Sequence, residues 1–283
     1  MTSIGPGSDF DFFFEDPIYS GTPVFTLPEE IRSIYGGDWQ IPRNVQYRYS
    51  NFVVSHDGKA SFSVPGHEGG GDISGFNRHD QWIMALCRSR ADAVIVGANT
   101  LRSEPHHKWS AEFIFPDDKA TFASLREREG RRPFPYQVFV TNSGVINADA
   151  EVFADESLET LIAVPRSTSS KVKALGIKRS RIIEMGDEQV DLVELHNHLH
   201  TGFGINSILC EGGPKFYGAM IEKRLIDEEF LTISPVMVGS SREDYRPSLI
   251  DGINLAPGNN LGGSLRSVRR AGNMLFLRTH FAR

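Results

Sequence analysis

The chain has 283 residues, with Lys+Arg 30 against Asp+Glu 36, a formal net charge of −6, 40% hydrophobic and 23% charged residues. That composition belongs to a folded globular chain of one large domain or two small ones, not to a disordered one. Mild acidity argues against a general nucleic-acid binder, and two cysteines, Cys87 and Cys210, exclude a disulfide framework or a multi-cysteine zinc site. Both cysteines lie in apolar runs, which predicts buried, reduced thiols. No segment approaches the roughly 20 apolar residues that span a bilayer. Met1 to Pro6 lacks the basic start and apolar stretch of a signal peptide. The expectation is a cytoplasmic chain with no membrane contact and no internal repeat.

Residues 1–44 differ in character from the rest of the chain. Asp9 to Asp16 is acidic and aromatic, and Pro17, Pro23, Pro28 and Pro42 break the chain after it. Such a segment cannot build a core alone and is expected to dock as an arm, on its own domain or on a neighbouring subunit, or to act as a lid. From Val45 the pattern is regular. Val45–Ser55 alternates, with aromatic and β-branched residues, and reads as a strand turned by Asp57-Gly58. Gly66, Gly69, Gly70, Gly71 and Gly75 mark a flexible loop. Arg78–Arg90 reads as a helix, with Ile83, Leu86 and Cys87 on one face. Ala93–Val96 is a short apolar run suited to a strand buried on both faces. Further strands are predicted at 137–141, 161–164, 181–184 and 207–210, with helices at 190–201 and 214–223. The chain then gives strands at 228–233, 265–270 and 274–281, the last two joined by the hairpin signal Ala271-Gly272-Asn273. Alternating strands and helices with a closing hairpin predict an α/β domain over 45–283, with a mostly parallel sheet and an antiparallel edge.

Ligands of such sheets bind beyond the carboxyl ends of the strands. Three strand ends stand out. Cys210-Glu211-Gly212-Gly213-Pro214 places two glycines and a first-turn proline where backbone N–H groups and a helix dipole suit a phosphate, or where a plain tight turn is needed. Gly97-Ala98-Asn99-Thr100 allows close backbone approach and adds a hydroxyl, with Glu104 one turn later. Ser55-His56-Asp57-Gly58 is by itself a generic turn. On the helix before Ala93, Asp80 is placed as a cap or as a partner for a heterocycle N–H edge, and Arg88 as a phosphate ligand or a snorkelling surface residue. His196 and His200 are spaced i, i+4, which can hold a metal but more often marks a solvated helix face, and no third ligand is evident. No GxSxG elbow supports a serine nucleophile.

In this order, SxDG, a helix carrying LxR, ADAVIVGANT, ILCEGGP and LIDEEFLTISPVMVG together resemble the riboflavin-biosynthesis pyrimidine reductases. The match is to the reductase part of the bifunctional deaminase-reductases in stand-alone form, from about Val45 to the C-terminus. The resemblance implies a dihydrofolate-reductase-like fold, NADPH as cofactor and a homodimer. It also implies hydride transfer to the ribosyl C1′ of a 5-amino-6-(5-phosphoribosylamino)uracil-type pyrimidine, giving a ribitylamino product. The His-x-Glu and Pro-Cys-x-x-Cys of the zinc deaminase half are absent. By position, the resemblance assigns Glu211 and Asp80 to catalysis. It assigns Val53, Gly97, Ala98, Thr100, Glu104, Gly212, Gly213 and Pro214 to the cofactor, with Ser143 and Arg166 as candidates for its 2′-phosphate. Ser55, Asp57, Arg88 and Lys108 are assigned to the substrate. Lys108, in Glu104-Pro105-His106-His107-Lys108, stands in for an arginine that members place later in this loop, and a point charge is not a bidentate fork. The rival readings are a dihydrofolate or pteridine reductase on the same fold and a non-catalytic nucleotide-binding or scaffold protein.

Overall fold

In the computed structural model, residues 4–16 and 22–282 are described; the first residues of the chain start and the breaker at Pro17 lie outside them. The strands are β1 (Asp11–Glu15), β2 (Val24–Phe25), β3 (Ile41–Pro42), β4 (Tyr47–Val54), β5 (Ala93–Gly97), β6 (Tyr136–Val140), β7 (Thr160–Val164), β8 (Ser180–Glu184), β9 (Ser207–Cys210), β10 (Glu228–Ile233), β11 (Gly263–Ala271) and β12 (Met274–Phe281). Apart from the β2–β3 pair, they form one ten-stranded sheet in the order β1-β11-β12-β10-β4-β9-β5-β6-β7-β8. From β10 to β8 every neighbour is parallel, while β12, β11 and β1 continue the sheet antiparallel. The expected mostly parallel sheet with an antiparallel C-terminal hairpin is therefore the observed one, with Gly272 at φ +55° in its turn.

The two-sided burial read from the AVIV run has a simple cause. Successive side chains of a strand point to opposite faces. Val94 and Val96 enter one core layer with Trp82, Leu86, Phe122 and Phe139, and Ala93 and Ile95 enter the other with Leu195, Leu199, Met220 and Ile221. Helices cover both faces, which is why these strands lack polar alternation. The helix Arg78–Ser89 is capped by Asn77, whose Oδ1 accepts from the N–H groups of His79 at 2.9 Å and Asp80 at 3.3 Å. The capping role considered for Asp80 thus belongs to Asn77. Cys87 and Cys210 are free and buried. Among the described residues no helix is long and apolar enough to cross a membrane.

The acidic-aromatic segment forms β1, an edge strand paired antiparallel to β11. Phe10, Leu27, Ile31, Ile34, Tyr35 and Trp39 join the same core layer as Trp82 and Leu86. The glycine-rich segment read as a loop contains a short helix, Gly70–Ser74, closed by Gly75 at φ +61°.

Candidate active site

A cleft of ≈ 1160 Å³ lies beyond the carboxyl ends of the parallel strands, lined among others by Gly97, Ala98, Thr100, Ser143, Gly213 and Pro214. The turns after β5 and β9 form its floor, and the second requires glycine at Gly212. A Cβ on Gly212 would come within 2.4 Å of the Phe216 ring and 3.1 Å of the Gly97 nitrogen. The Gly213 N–H donates to Thr100 Oγ1 at 3.1 Å, so this N–H and hydroxyl, both assigned to a cofactor, are joined to each other. Pro214 opens the helix Pro214–Glu222, and no side chain caps its start at Gly213. An uncapped helix start beside glycines, with Lys215 also on the cleft wall, presents the positive end of the dipole to a ligand anion.

Buried carboxyl groups gather beside this cleft. Glu211 follows β9 and is met by Arg88, whose Nε donates to Oε2 at 2.9 Å and whose Nη2 lies 2.8 Å from the same oxygen. The two side chains are 2% and 6% exposed, so this is a desolvated ion pair. Burial pushes the Glu211 carboxyl up, against the opposing pull of Arg88 and a hydrogen bond with Asn51. Asp80 is 2% exposed. Burial raises it to about 6, although hydrogen bonds with Thr232 and Ser74 lower it and Glu211 adds repulsion. A buried carboxyl held near neutrality among polar partners is an electrostatic signature of acid–base work.

Arg88 was expected at the substrate. Its donors instead go to Glu211, to His107 Nε2 at 2.9 Å and to the carbonyls of Lys108 and Ser110 at 3.4 Å, so it orients Glu211. Lys108 is turned to Asp155 at 2.9 Å. Ser55 donates to Asp57 at 2.6 Å, and Asp57 accepts from the N–H groups of Val238 and Gly239 at 3.0 and 2.7 Å. These bonds hold Asp57 well below the usual carboxylate range and make the pair a clasp on the loop after β10. Val53 packs with Ile73 and Val238 under the glycine-rich segment. Glu104 lies against Gly69, where a Cβ would come within 3.0 Å of its Oε1. Ser143 lines the cleft, but Arg166 points outward to Asp187 at 2.6 Å, with half its side chain in solvent. His196 is buried, not solvated, with Nδ1 2.7 Å from the Leu192 carbonyl, and His200 meets the Ile205 carbonyl at 3.3 Å, so the two do not converge. Among the described residues no group of three His, Cys, Asp or Glu could hold a metal ion.

Two residues of the site escaped the sequence reading. Asn51 sits mid-strand and reads as an interruption of an apolar pattern, yet its buried side chain bonds Glu211 while its own Oδ1 has no partner among the described residues. His107 lies two residues after Pro105 in a polar stretch and reads as surface. A polar residue on the strand face otherwise held by Tyr47, Tyr49 and Val53 was the signal available for Asn51.

Residues 47–261 match the RibD C-terminal domain family. The chain belongs to that family. Among its relatives in the family, the 2,5-diamino-6-ribosylamino-4(3H)-pyrimidinone 5′-phosphate reductase of Aquifex aeolicus is 27% identical over 202 residues, covering 69% of this chain and 74% of that protein. The enzyme of the same name from Methanothermobacter thermautotrophicus is 29% identical over 206 residues, covering 73% and 84%. In three dimensions, a pyrimidine reductase-like protein from Corynebacterium diphtheriae aligns with a TM-score of 0.63 at 19% identity, over 84% of this chain and 92% of that one. RibD from Acinetobacter baumannii aligns with a TM-score of 0.61 at 18% identity, over 85% of this chain and 59% of that one. These structural likenesses establish that the RibD C-terminal domain fold is shared.

Proposed function

We propose that this chain is a pyrimidine reductase of riboflavin biosynthesis. It reduces the ribosylamino group of a 6-ribosylaminopyrimidine 5′-phosphate to a ribitylamino group at the expense of NADPH. The observation that carries the reading is the pair of buried carboxyl groups, Glu211 and Asp80, beside a glycine-floored cleft, within the segment that defines the family. Such a cleft suits a dinucleotide: its volume is large, its floor tolerates close backbone approach, and an uncapped helix start with Lys215 offers a place for phosphate. The bound cofactor would supply hydride, and the rest falls to the protein.

In the ring-opened substrate the C1′=N imine takes hydride at carbon and a proton at nitrogen. Glu211, raised by burial and aimed by Arg88 and Asn51, orients this group and supplies the proton. Asp80 faces the N–H edge of the heterocycle. The segment from Gly69 to Ser74, packed over Val53 and Glu104, excludes water. Gly97, Ala98, Thr100, Gly212, Gly213 and Pro214 shape the cofactor floor, and Ser143 its far wall. The domain that does this spans 45–283, and the described residues 4–16 and 22–44 pack on it through β1 and through Phe10, Leu27 and Ile31. Two free, buried cysteines support a reducing cytoplasmic setting. The exposed Phe12, Phe13 and Phe14 on an open sheet edge support a homodimer.

The test is consumption of NADPH with the ribosylaminopyrimidine phosphate and, separately, with dihydrofolate. Turnover of the first alone is the expected result. Turnover of dihydrofolate alone would make the chain a pterin enzyme, and NADPH binding without either turnover would remove the reductase assignment.

A further inference from the structure

His107 is a residue to which neither the motifs nor the family match gave a role. Its Nε2 lies 2.9 Å from Arg88 Nη2, and a guanidinium can only donate. Nε2 is therefore the acceptor, and the ring proton is on Nδ1. That nitrogen lies 3.1 Å from Glu104 Oε2, which favours this tautomer. The short distance to Glu104 does not make the ring a cation. Burial and the Arg88 guanidinium both hold its pKa well below the ordinary 6.5. The ring plane is fixed by Trp109 and Phe113, with centroids 4.9 and 4.8 Å away, and the His107 N–H closes a turn on the Glu104 carbonyl at 3.1 Å.

We propose that His107 is a positioning residue: it holds Arg88, and through Arg88 the Glu211 carboxyl, in the orientation that meets the substrate. The inference rests on Glu211 as the group that orients and protonates the imine. The choice of side chain has a physical reason. A second carboxylate at this place would compete with Glu211 for the guanidinium, and a lysine would repel it. A neutral ring nitrogen fills the last donor of Arg88 and leaves its full charge for Glu211. Glu104, His107, Arg88 and Glu211 thus form one line that runs from the turn after β5 to the end of β9. A shift of the imidazole is passed to the carboxyl that touches the reacting atoms.

Two variants test this. H107F keeps the ring between Trp109 and Phe113 and removes both nitrogens, while H107Q restores a neutral acceptor and a donor. H107F is expected to lower kcat about tenfold or more, with KM and Kd for NADPH held within about twofold, and H107Q to recover most of the loss. In an E211Q background H107F should cost nothing further, because the group it positions is already gone. Nitrogen NMR of the histidine-labelled protein without ligands gives a readout independent of turnover: a neutral ring protonated on Nδ1 at neutral pH. It also decides the matter, together with H107Q, if H107F does not fold. Wild-type kcat in H107F, an equal loss in both backgrounds, or an imidazolium in the spectrum overturns the proposal while the Glu211 reading stands. Wild-type kcat in E211Q removes the Glu211 reading itself, and the role of His107 with it.

Discussion

Glu211–Arg88 and Glu228–Arg278 are both buried ion pairs of the parallel sheet, and they lie at opposite edges of it. Glu211 follows the last residue of β9, at the carboxyl edge; Glu228 is the first residue of β10, at the amino edge. Glu228 meets Arg278 of β12 at 2.6 Å, with the two side chains 0% and 3% exposed. It also accepts from the Tyr47 hydroxyl, which in turn accepts from Trp39 Nε1 at 3.1 Å. The groups that act on Glu228 are side chains of the frame: Arg278 of β12, Tyr47 of β4, Arg266 of β11 and Glu15 of β1. Glu211 instead has glycines after it that lead onto the cleft at Gly213, and it lies close enough to Asp80 to raise that acid. Burial pushes both glutamates up and an arginine opposes it in each. The chemistry of the pair is the same; its edge of the sheet decides what it is for, since ligands bind beyond carboxyl ends.

The largest effect that separates the two belongs to the amino edge. Truncation in E228A strands Arg278 without its counter-charge in a sealed interior, which costs about 3–5 kcal/mol. Urea unfolding should show this loss, while kcat per folded molecule stays near wild type. E211Q should do the opposite. Its kcat falls about 100-fold or more. Its unfolding midpoint moves less than that of E228A, because Arg88 keeps His107 and two carbonyls as acceptors. Equal losses of stability with no difference in kcat would erase the distinction between the edges.

Asp80 sharpens the comparison because its cost is visible in pH. Its native pKa of about 6 lies above the ordinary 3.8. Between those values the native state binds more protons than the unfolded one, so this group's contribution to stability falls as pH rises through the window and levels off above it. The loss amounts to about 3 kcal/mol as an upper bound. D80N removes the titration. Its stability relative to wild type should therefore rise with pH across the window and remain higher above it, while its turnover of the pyrimidine falls. A stability difference between D80N and wild type that does not change with pH would show that Asp80 is not perturbed.

Sequence made the carboxyl edge legible and the joins between its parts illegible. The Glu211-Gly212-Gly213-Pro214 turn and the AVIV strand are local patterns, set by φ, ψ and period, and both appear where the pattern places them. The Arg88–Glu211 contact joins residues 123 apart, and Asp80, on the helix Arg78–Ser89, finds Thr232 of β10. Such contacts are decided by strand order, which periodicity does not contain. The strand β1 was hidden for the same reason, since its partner β11 comes at the end of the chain. The helix Lys119–Arg128 was hidden differently. One of its inward residues is Arg126, 2% exposed, whose Nη1 donates to the carbonyls of Arg88, Ser89 and Ala91, so a core position carries a charged letter.

The smallest effect concerns the far end of the cleft. Arg166 and Lys215 are both cations after parallel-sheet strands, but Lys215 lines the cleft and Arg166 is engaged with Asp187 at the surface. Arg166 is, with Ser143, a sequence candidate for the cofactor 2′-phosphate, a role in which R166A would raise KM for NADPH more than for NADH. The outward geometry now leads us to expect changes within about twofold, equal for both cofactors, as for other exposed pairs. K215A should raise KM for both cofactors more than R166A does, because its charge stands at the helix start where a pyrophosphate common to both would lie. A selective loss of NADPH in R166A would mean that Arg166 leaves Asp187 when the cofactor binds. The 2′-phosphate would then be held by a side chain that swings in, and not by one already in place.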